Sequence, residues 1–163
     1  MQQLWAPWRG EIIQQKPPLG CIFCLFPAET GAEADRRNLI VARSERSFVI
    51  LNRYPYNNGH LMVVPRRHTG DFASISSEEA ADLNALLQRS TAVLNRAYRP
   101  EGLNLGMNLG KSAGAGIADH LHWHVVPRWL GDTNFMPVLA DTKVMIEHLS
   151  STFDTLEPLF REG

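Results

Sequence analysis

Cysteine, net charge and long apolar runs are all scarce in this chain of 163 residues. Only two cysteines occur, Cys21 and Cys24, so a reducing, cytoplasmic location is the default expectation. Sixteen Lys and Arg stand against 17 Asp and Glu, a formal charge of −1. Such a balance sets up no global field to draw nucleic acid or a membrane surface, and neither is expected as a partner. No apolar run approaches the roughly 18 residues of a spanning helix. The opening MQQLWAPWRGEIIQQ has no basic region followed by an apolar one, so no secretory signal is expected. Internal repeats and low-complexity tracts are absent as well.

What remains is ordinary globular composition, 44% apolar and 20% charged, at a length that fits one domain over residues 1–163. Residues 1–38 read as irregular, with QQKPPLG and PAETGAEADRRN as loops. LIVARSERSFVILN holds two β-rich runs with a turn near residues 44–46, YPYNNG is turn chemistry, and HLMVVP at residues 60–65 is a further strand, together an antiparallel meander. The clearest helix starts at a capping box of Ser76 and Glu79, follows helical spacing through Leu83, Leu87, Leu94 and Tyr98, and stops at Pro100. GLNLGMNLG reads as a strand and GKSAGAG as a loop, and an amphipathic helix is expected from about residue 142 to 160. Strands, then a helix, then strands again indicate an α+β domain with a largely antiparallel sheet.

ADHLHWHVVPRW, residues 118–129, holds three of the six histidines at i, i+2, i+4. On a strand this spacing puts His120, His122 and His124 on one face, with Leu121, Trp123 and Val125 on the other against the core. A solvated polar face is the bland explanation, but lysine, threonine or serine would serve there equally well. Two chemical readings stand beside it: three metal ligands, or at least one nucleophile. A neutral imidazole is a competent nucleophile at pH 7 and forms a cleavable N–P bond with phosphorus. The preceding loop supplies anion stabilisers in its backbone N–H groups, Ser112 and Lys111.

CIFC carries two thiols at the spacing of half a zinc site. A redox pair normally opens a helix in a βαβ unit, and none surrounds residue 21; a simple pair of cysteines in an apolar pocket is the third option.

HLHWHVV resembles the His-φ-His-φ-His-φ-φ signature (φ apolar) of the histidine triad, or HIT, nucleotide hydrolases and transferases. ILNRYPYNNGHLMVVPRRH is similar to that family's ribose-binding strand, turn and return strand, and GLNLGMNLGKSAGAGIADHLHWHVVPRW to its phosphate-binding strand, loop and catalytic strand. The likeness covers about residues 20–130. LWAPWR and GDTNFMPV resemble the branch that includes diadenosine polyphosphate phosphorylases.

This resemblance implies a HIT-like fold and a nucleotide hydrolase or phosphorylase that cleaves dinucleoside polyphosphates at the α-phosphate through a nucleotidyl-histidine. It implies His122 as the nucleophile and His124 as the group that assists the leaving group. Transferases of the wider superfamily carry glutamine at the third position, so His124 favours hydrolysis or phosphorolysis. Asn52 matches the residue that holds the ribose hydroxyls, and Asn108 one that contacts phosphate. Ile22, Phe23, Ile50 and Leu51 match positions that sandwich the base. Many members carry Gly-Gln-Ser or Gly-Gln-Thr shortly before the first histidine; here Ala115, Gly116 and Ile117 stand there. Phosphate binding then falls to Ser112, to Lys111 and to the main chain around Gly114 and Gly116. By the same resemblance Cys21, Cys24, His68 and His120 form a closed structural zinc site, and the protein is a homodimer. That dimer joins through the helix of residues 77–98 and the strand GLNLGMN, with Leu103, Leu105 and Met107 buried on one strand face and Asn104, Gly106 and Asn108 on the other.

His60 is expected to be a hydrogen-bonded structural residue and His148 a surface one. Trp123 and Trp129 read as core or interface aromatics, and Trp5 and Trp8 as cover for the pocket or an interface. Arg53, Arg66, Arg67 and Arg128 are in reach of distal phosphates only if not simply solvated. The rival functions are a nucleoside phosphoramidase, a non-catalytic nucleotide-binding regulator and a metal-storage module.

Overall fold

The structure is a computed structural model and describes residues 20–132 and 147–162. Four helices are present among these residues: α1 (Ile22–Ala28), α2 (Ala32–Asn38), α3 (Ser77–Tyr98) and α4 (Leu149–Arg161). With them run strands β1 (Ile40–Arg43), β2 (Ser47–Leu51), β3 (Leu61–Pro65), β4 (Gly102–Met107) and β5 (Trp123–Arg128). The strands make one antiparallel sheet in the order β1-β2-β3-β5-β4. This is the expected α+β architecture with one long helix and a C-terminal one.

The meander forms as the sequence expects. Ser44 turns the chain between β1 and β2, its hydroxyl donating to Ser47 O and its N–H to the same oxygen. β2 and β3 pair over their whole lengths, Ser47 opposite Pro65 and Leu51 opposite Leu61, and every residue of both is buried. Full burial on both faces requires cover on both. On one side α3 packs over β2, β3 and β5, and α4 over β1; Leu83, Leu87, Leu94, Phe153 and Leu156 meet Val49, Leu51, Val63 and Val125 there. On the other side Phe23 of α1 meets Phe48, Ile50, Met62 and Val64.

The capping box at the start of α3 is formed in both directions: Glu79 N–H donates to Ser76 Oγ, and Ser76 N–H to Glu79 Oε2. Arg67 adds two hydrogen bonds to the same carboxylate at 2.7 and 2.8 Å, which ties the segment after β3 to the helix start. This double hold pushes the Glu79 carboxyl down to about 2, the Arg67 contact being the larger cause.

Residues 22–38 are not irregular but carry α1 and α2, each of seven residues. Neither advertises itself, because α1 has no side-chain N-cap and contains Pro27, and α2 ends at Leu39 in the left-handed region (φ 62°) instead of at a glycine. The last helix begins later than expected, at Leu149, with His148 at its N-cap and exposed. Residues 142–146 of that expectation, together with Trp5, Trp8 and the part of GDTNFMPV beyond Asp132, lie outside the described residues.

Candidate active site and metal centre

Phe23 of α1 packs over β2 and β3, and on the face that carries His124 a cavity opens between β5 and β4. The strand itself is shorter than the histidine spacing suggests: β5 begins at Trp123, and only His124 of the three belongs to it. His120 and His122 precede the ladder because the chain there is held by other contacts, Leu121 N–H donating to Thr69 O. Their common orientation survives. Phe23 packs edge-on to His120 and against His122, at centroid distances of 5.4 and 5.1 Å, and His122 meets His124 edge-on at 5.0 Å. Nor is this face solvated: His120 is fully buried and His122 only 5% exposed.

Hydrogen bonds fix which nitrogen of each ring bears the proton. His122 Nδ1 lies 2.9 Å from His120 O; a carbonyl only accepts, so Nδ1 carries the hydrogen and Nε2 presents a lone pair. The Tyr56 backbone N–H donates to His60 Nδ1 at 3.0 Å, so the His60 proton sits on Nε2, which donates to His124 Nδ1 at 2.9 Å. His124 therefore holds its own hydrogen on Nε2. Burial, and secondarily the neighbouring His122, push the His124 imidazole down to about 4, so it is neutral at pH 7. One bare nitrogen at His122 and one N–H at His124 stand side by side, an arrangement suited to attack on an electrophile and hydrogen bonding to what leaves.

His60 is the residue that sequence reasoning left without a part in the chemistry. It is 1% exposed and makes its contact with a residue 64 positions away. Its signal is local only: a histidine directly after the turn glycine Gly59, whose φ of 74° and neighbours Leu94 and Tyr98 leave no room for a Cβ.

Around this pair, Ile22, Phe23 and Ile50 share one apolar cluster beside the histidines. Leu51 does not join them. Successive strand residues point to opposite faces, and Leu51 lies in the core beneath α3, which corrects its expected place against a base. Asn52 follows β2; its Oδ1 accepts from Tyr54 N–H at 2.9 Å, with Nδ2 3.5 Å from His60 Nδ1. In the glycine-rich loop the N–H groups of Ala113, Gly114 and Ala115 are turned inward onto Gly110 O and Lys111 O. They are not available as an anion cradle, which leaves the exposed Ser112 and Lys111 side chains and the Gly116 region. Asn108 is next to this loop: a Cβ added at Gly114 would lie 3.7 Å from Asn108 Nδ2. The arginines are engaged by the protein, Arg53 on Arg37 O, Arg66 on Ser44 O, Arg67 on Glu79 and Arg128 on Asp132.

A second cluster lies at the far side of His120. Ligand atoms of Cys21, Cys24, His68 and His120 all fall within 4.8 Å of one another, although the four residues come from three separate parts of the chain. The separations are His68 Nδ1 to His120 Nδ1 3.2 Å, Cys21 Sγ to His120 Nδ1 3.3 Å, Cys24 Sγ to His68 Nδ1 3.3 Å and Cys24 Sγ to His120 Nδ1 3.6 Å. A tetrahedron with metal–N near 2.0–2.1 Å and metal–S near 2.3 Å has N–N edges of about 3.4 Å and N–S edges of about 3.6 Å. The donor set and its spacing therefore fit a tetrahedral metal ion. His120 Nε2 donates to Pro65 O at 2.8 Å, which frees Nδ1 for the ion, and His68 Nε2 has Asp119 at 3.8 Å behind it. Without an ion, burial and then the adjacent Cys21 raise the Cys24 thiol above its ordinary range; a dication opposes both.

Residues 33–129 match the HIT domain family. The chain is 40% identical over 157 residues to the "AP-4-A phosphorylase" of Mycobacterium tuberculosis, covering 93% of this chain and 80% of that protein. It is 31% identical over 93 residues to the "Bis(5'-adenosyl)-triphosphatase" of Dictyostelium discoideum, covering 57% of this chain and 62% of that one. Among solved structures, a Zn-bound histidine triad family protein from Mycobacterium smegmatis superposes with a TM-score of 0.68 at 25% identity, over 88% of this chain and 95% of the other.

Proposed function

The chain belongs to the histidine triad (HIT) family, and from that premise we propose that it is an enzyme cleaving dinucleoside polyphosphates at the α-phosphate through a nucleotidyl-His122 intermediate. The observation that carries this is the pair of opposite tautomers at His122 and His124, beside an apolar cluster of Ile22, Phe23 and Ile50 that suits a base. The name of the M. tuberculosis relative supports the substrate class.

His122 Nε2 attacks the α-phosphorus with its lone pair. A P–N bond forms, and the P–O bond to the departing polyphosphate breaks. The polyphosphate leaves as an anion, and neutral His124 donates a hydrogen bond from its Nε2–H to the departing oxygen without losing the proton. Water or inorganic phosphate then attacks the same phosphorus and loses a proton to solvent; the P–N bond breaks, its electron pair returns to His122 Nε2, and the mononucleotide or the nucleoside diphosphate is released. Asn52 would hold the ribose, and Asn108 and Ser112 the phosphate oxygens.

Cys21, Cys24, His68 and His120 would hold zinc in a closed four-ligand site, where it pins the N-terminal helix to the catalytic segment and leaves no open position for water. The fit of the ligand distances supports this, as does the Zn-bound relative. A homodimer is part of the same reading. β4 is an edge strand, and its Leu105 is 45% exposed, which supports a partner at this edge.

Product analysis with diadenosine tetraphosphate, with and without phosphate, tests the proposal. ADP plus ATP identifies phosphate as acceptor and AMP plus ATP identifies water; a protein that binds AMP and turns over nothing is a regulator instead.

A further inference from the structure

We propose that the cavity between His124 and the Arg128–Asp132 ion pair, on the open β4–β5 face, is the subsite for the departing nucleoside of the substrate. The inference rests on the functional reading above and adds the location and chemistry of the leaving side.

The first argument is position. His122, His124, Val126 and Arg128 alternate onto one face, and Gly106 and Asn104 of β4 stand opposite His124 and Val126. The cavity runs from the phosphate-side residue Asn108 past His124 to Arg128, its reach beyond His124 being four strand residues or about 13 Å. Phe23 and its apolar cluster lie on the other side of His122. A phosphorus at His122 Nε2 thus has one substituent directed toward Phe23. The other is directed past the Nε2–H of His124 into the cavity.

Size and chemistry agree with a nucleoside. The space is about 490 Å³, within the usual range of roughly 300–1,000 Å³ for small-molecule sites. Its charges are already matched: Arg128 grips both oxygens of Asp132 and donates to Asn104 Oδ1 at 2.8 Å. Asn57 Nδ2 donates to the same carboxylate at 2.7 Å. A free anion would meet the Asp132 carboxylate with no uncommitted cation among the described lining residues, whereas a neutral heterocycle finds amide groups for its edge, the half-exposed guanidinium plane of Arg128 and the ring of Tyr56 for its faces.

Gly106 supplies a second observation. It sits in mid-strand with no positive φ, directly opposite His124, and a Cβ placed on it would meet nothing within 4 Å. The backbone there accepts any residue, so the vacant space is a property of the site and not a demand of the turn or strand. Gly106→Val is also favourable to a strand, so it fills the cavity without opposing the fold.

The test compares three substrates sharing one adenylyl group: diadenosine tetraphosphate, adenosine tetraphosphate, which lacks the second nucleoside, and an AMP phenyl ester. The wild type is expected to favour the dinucleotide over adenosine tetraphosphate by about tenfold in kcat/KM, the worth of one good contact set. Gly106→Val and Asn104→Leu should each bring that ratio close to one, with the phenyl ester cleaved as before and melting temperature unchanged. Equal wild-type rates on the two polyphosphates, or variants that slow all three substrates alike, overturn the subsite and leave the functional reading standing. Variants that instead raise only the KM of the acceptor phosphate show that the cavity holds free phosphate, which also overturns it. Cleavage of the ester with neither polyphosphate turned over sinks the functional reading, and the subsite with it.

Discussion

The imidazoles of His60 and His124 are joined Nε2 to Nδ1 at 2.9 Å, and this contact decides which His124 nitrogen bears the hydrogen. His60→Ala leaves His124 free to take either tautomer and either ring orientation. We expect kcat to fall by about tenfold or more, about 1.4 kcal/mol of barrier, with little change in AMP affinity. His60→Gln, whose amide can still donate, should recover part of the loss. Equal kcat in wild type and His60→Ala would show that the contact does not govern the reaction.

His122→Ala should remove turnover while the fold persists, since no neighbouring group replaces a covalent nucleophile. A variant that keeps more than about a tenth of the wild-type rate, under ~1.4 kcal/mol of barrier, contradicts the assignment. The positive counterpart is a nucleotidyl adduct on His122 in the wild type, trapped without acid and located by mass spectrometry.

Acid should destabilise the protein through His124. Its imidazole ionises at about 4 when folded and near 6.5 when unfolded. Between those values the unfolded chain binds a proton that the folded chain refuses. The stability contributed by a neutral His124 is therefore complete above pH 6.5 and is lost as pH falls toward 4. Melting temperatures of the wild type and His124→Gln should converge across that window, because glutamine does not titrate. Parallel curves would mean that His124 is not the group responsible.

Zinc is expected at one atom per chain by elemental analysis of protein purified without chelator. Cys21→Ser and His68→Ala should each lose it and melt several degrees lower, as expected when a ligand specific to the folded state is removed. Activity should fall too, because the His120 carbonyl that orients His122 belongs to a metal ligand. Protein isolated free of metal, or with Cys21 and Cys24 oxidised to each other, contradicts the site.

Light scattering at micromolar concentration should return twice the chain mass of 18.3 kDa. Leu105→Lys, on the exposed edge strand, should shift the mass to that of one chain. A wild type of single-chain mass with full activity rejects the dimer.

Elements with strong local signals were legible in the sequence: the capping box of α3, the Asn-Gly turn and the aromatic and β-branched run of β2 all specify their conformation within a few residues. α1 and α2 have only two turns each, too few for a periodic pattern, and their ends lack the usual punctuation. At the site, the histidine spacing was informative because it concerns one segment. The part played by His60 was not, since it depends on a partner brought close only by β3 pairing with β5. Leu51 differs in kind: alternation alone separates it from Ile50, and the resemblance to a family pattern obscured that.

The order β1-β2-β3-β5-β4 has a consequence for synthesis. The chain makes its first three strands as neighbours, then α3 and β4, and only then the strand that fits between β3 and β4. Until β5 emerges, one side of β3, whose sequence is LMVVP, has no permanent neighbour. Such a bare apolar edge invites pairing with another nascent chain. The strand that closes this edge also carries His124, so the aggregation-prone interval of folding ends at the same event that brings His124 to His60.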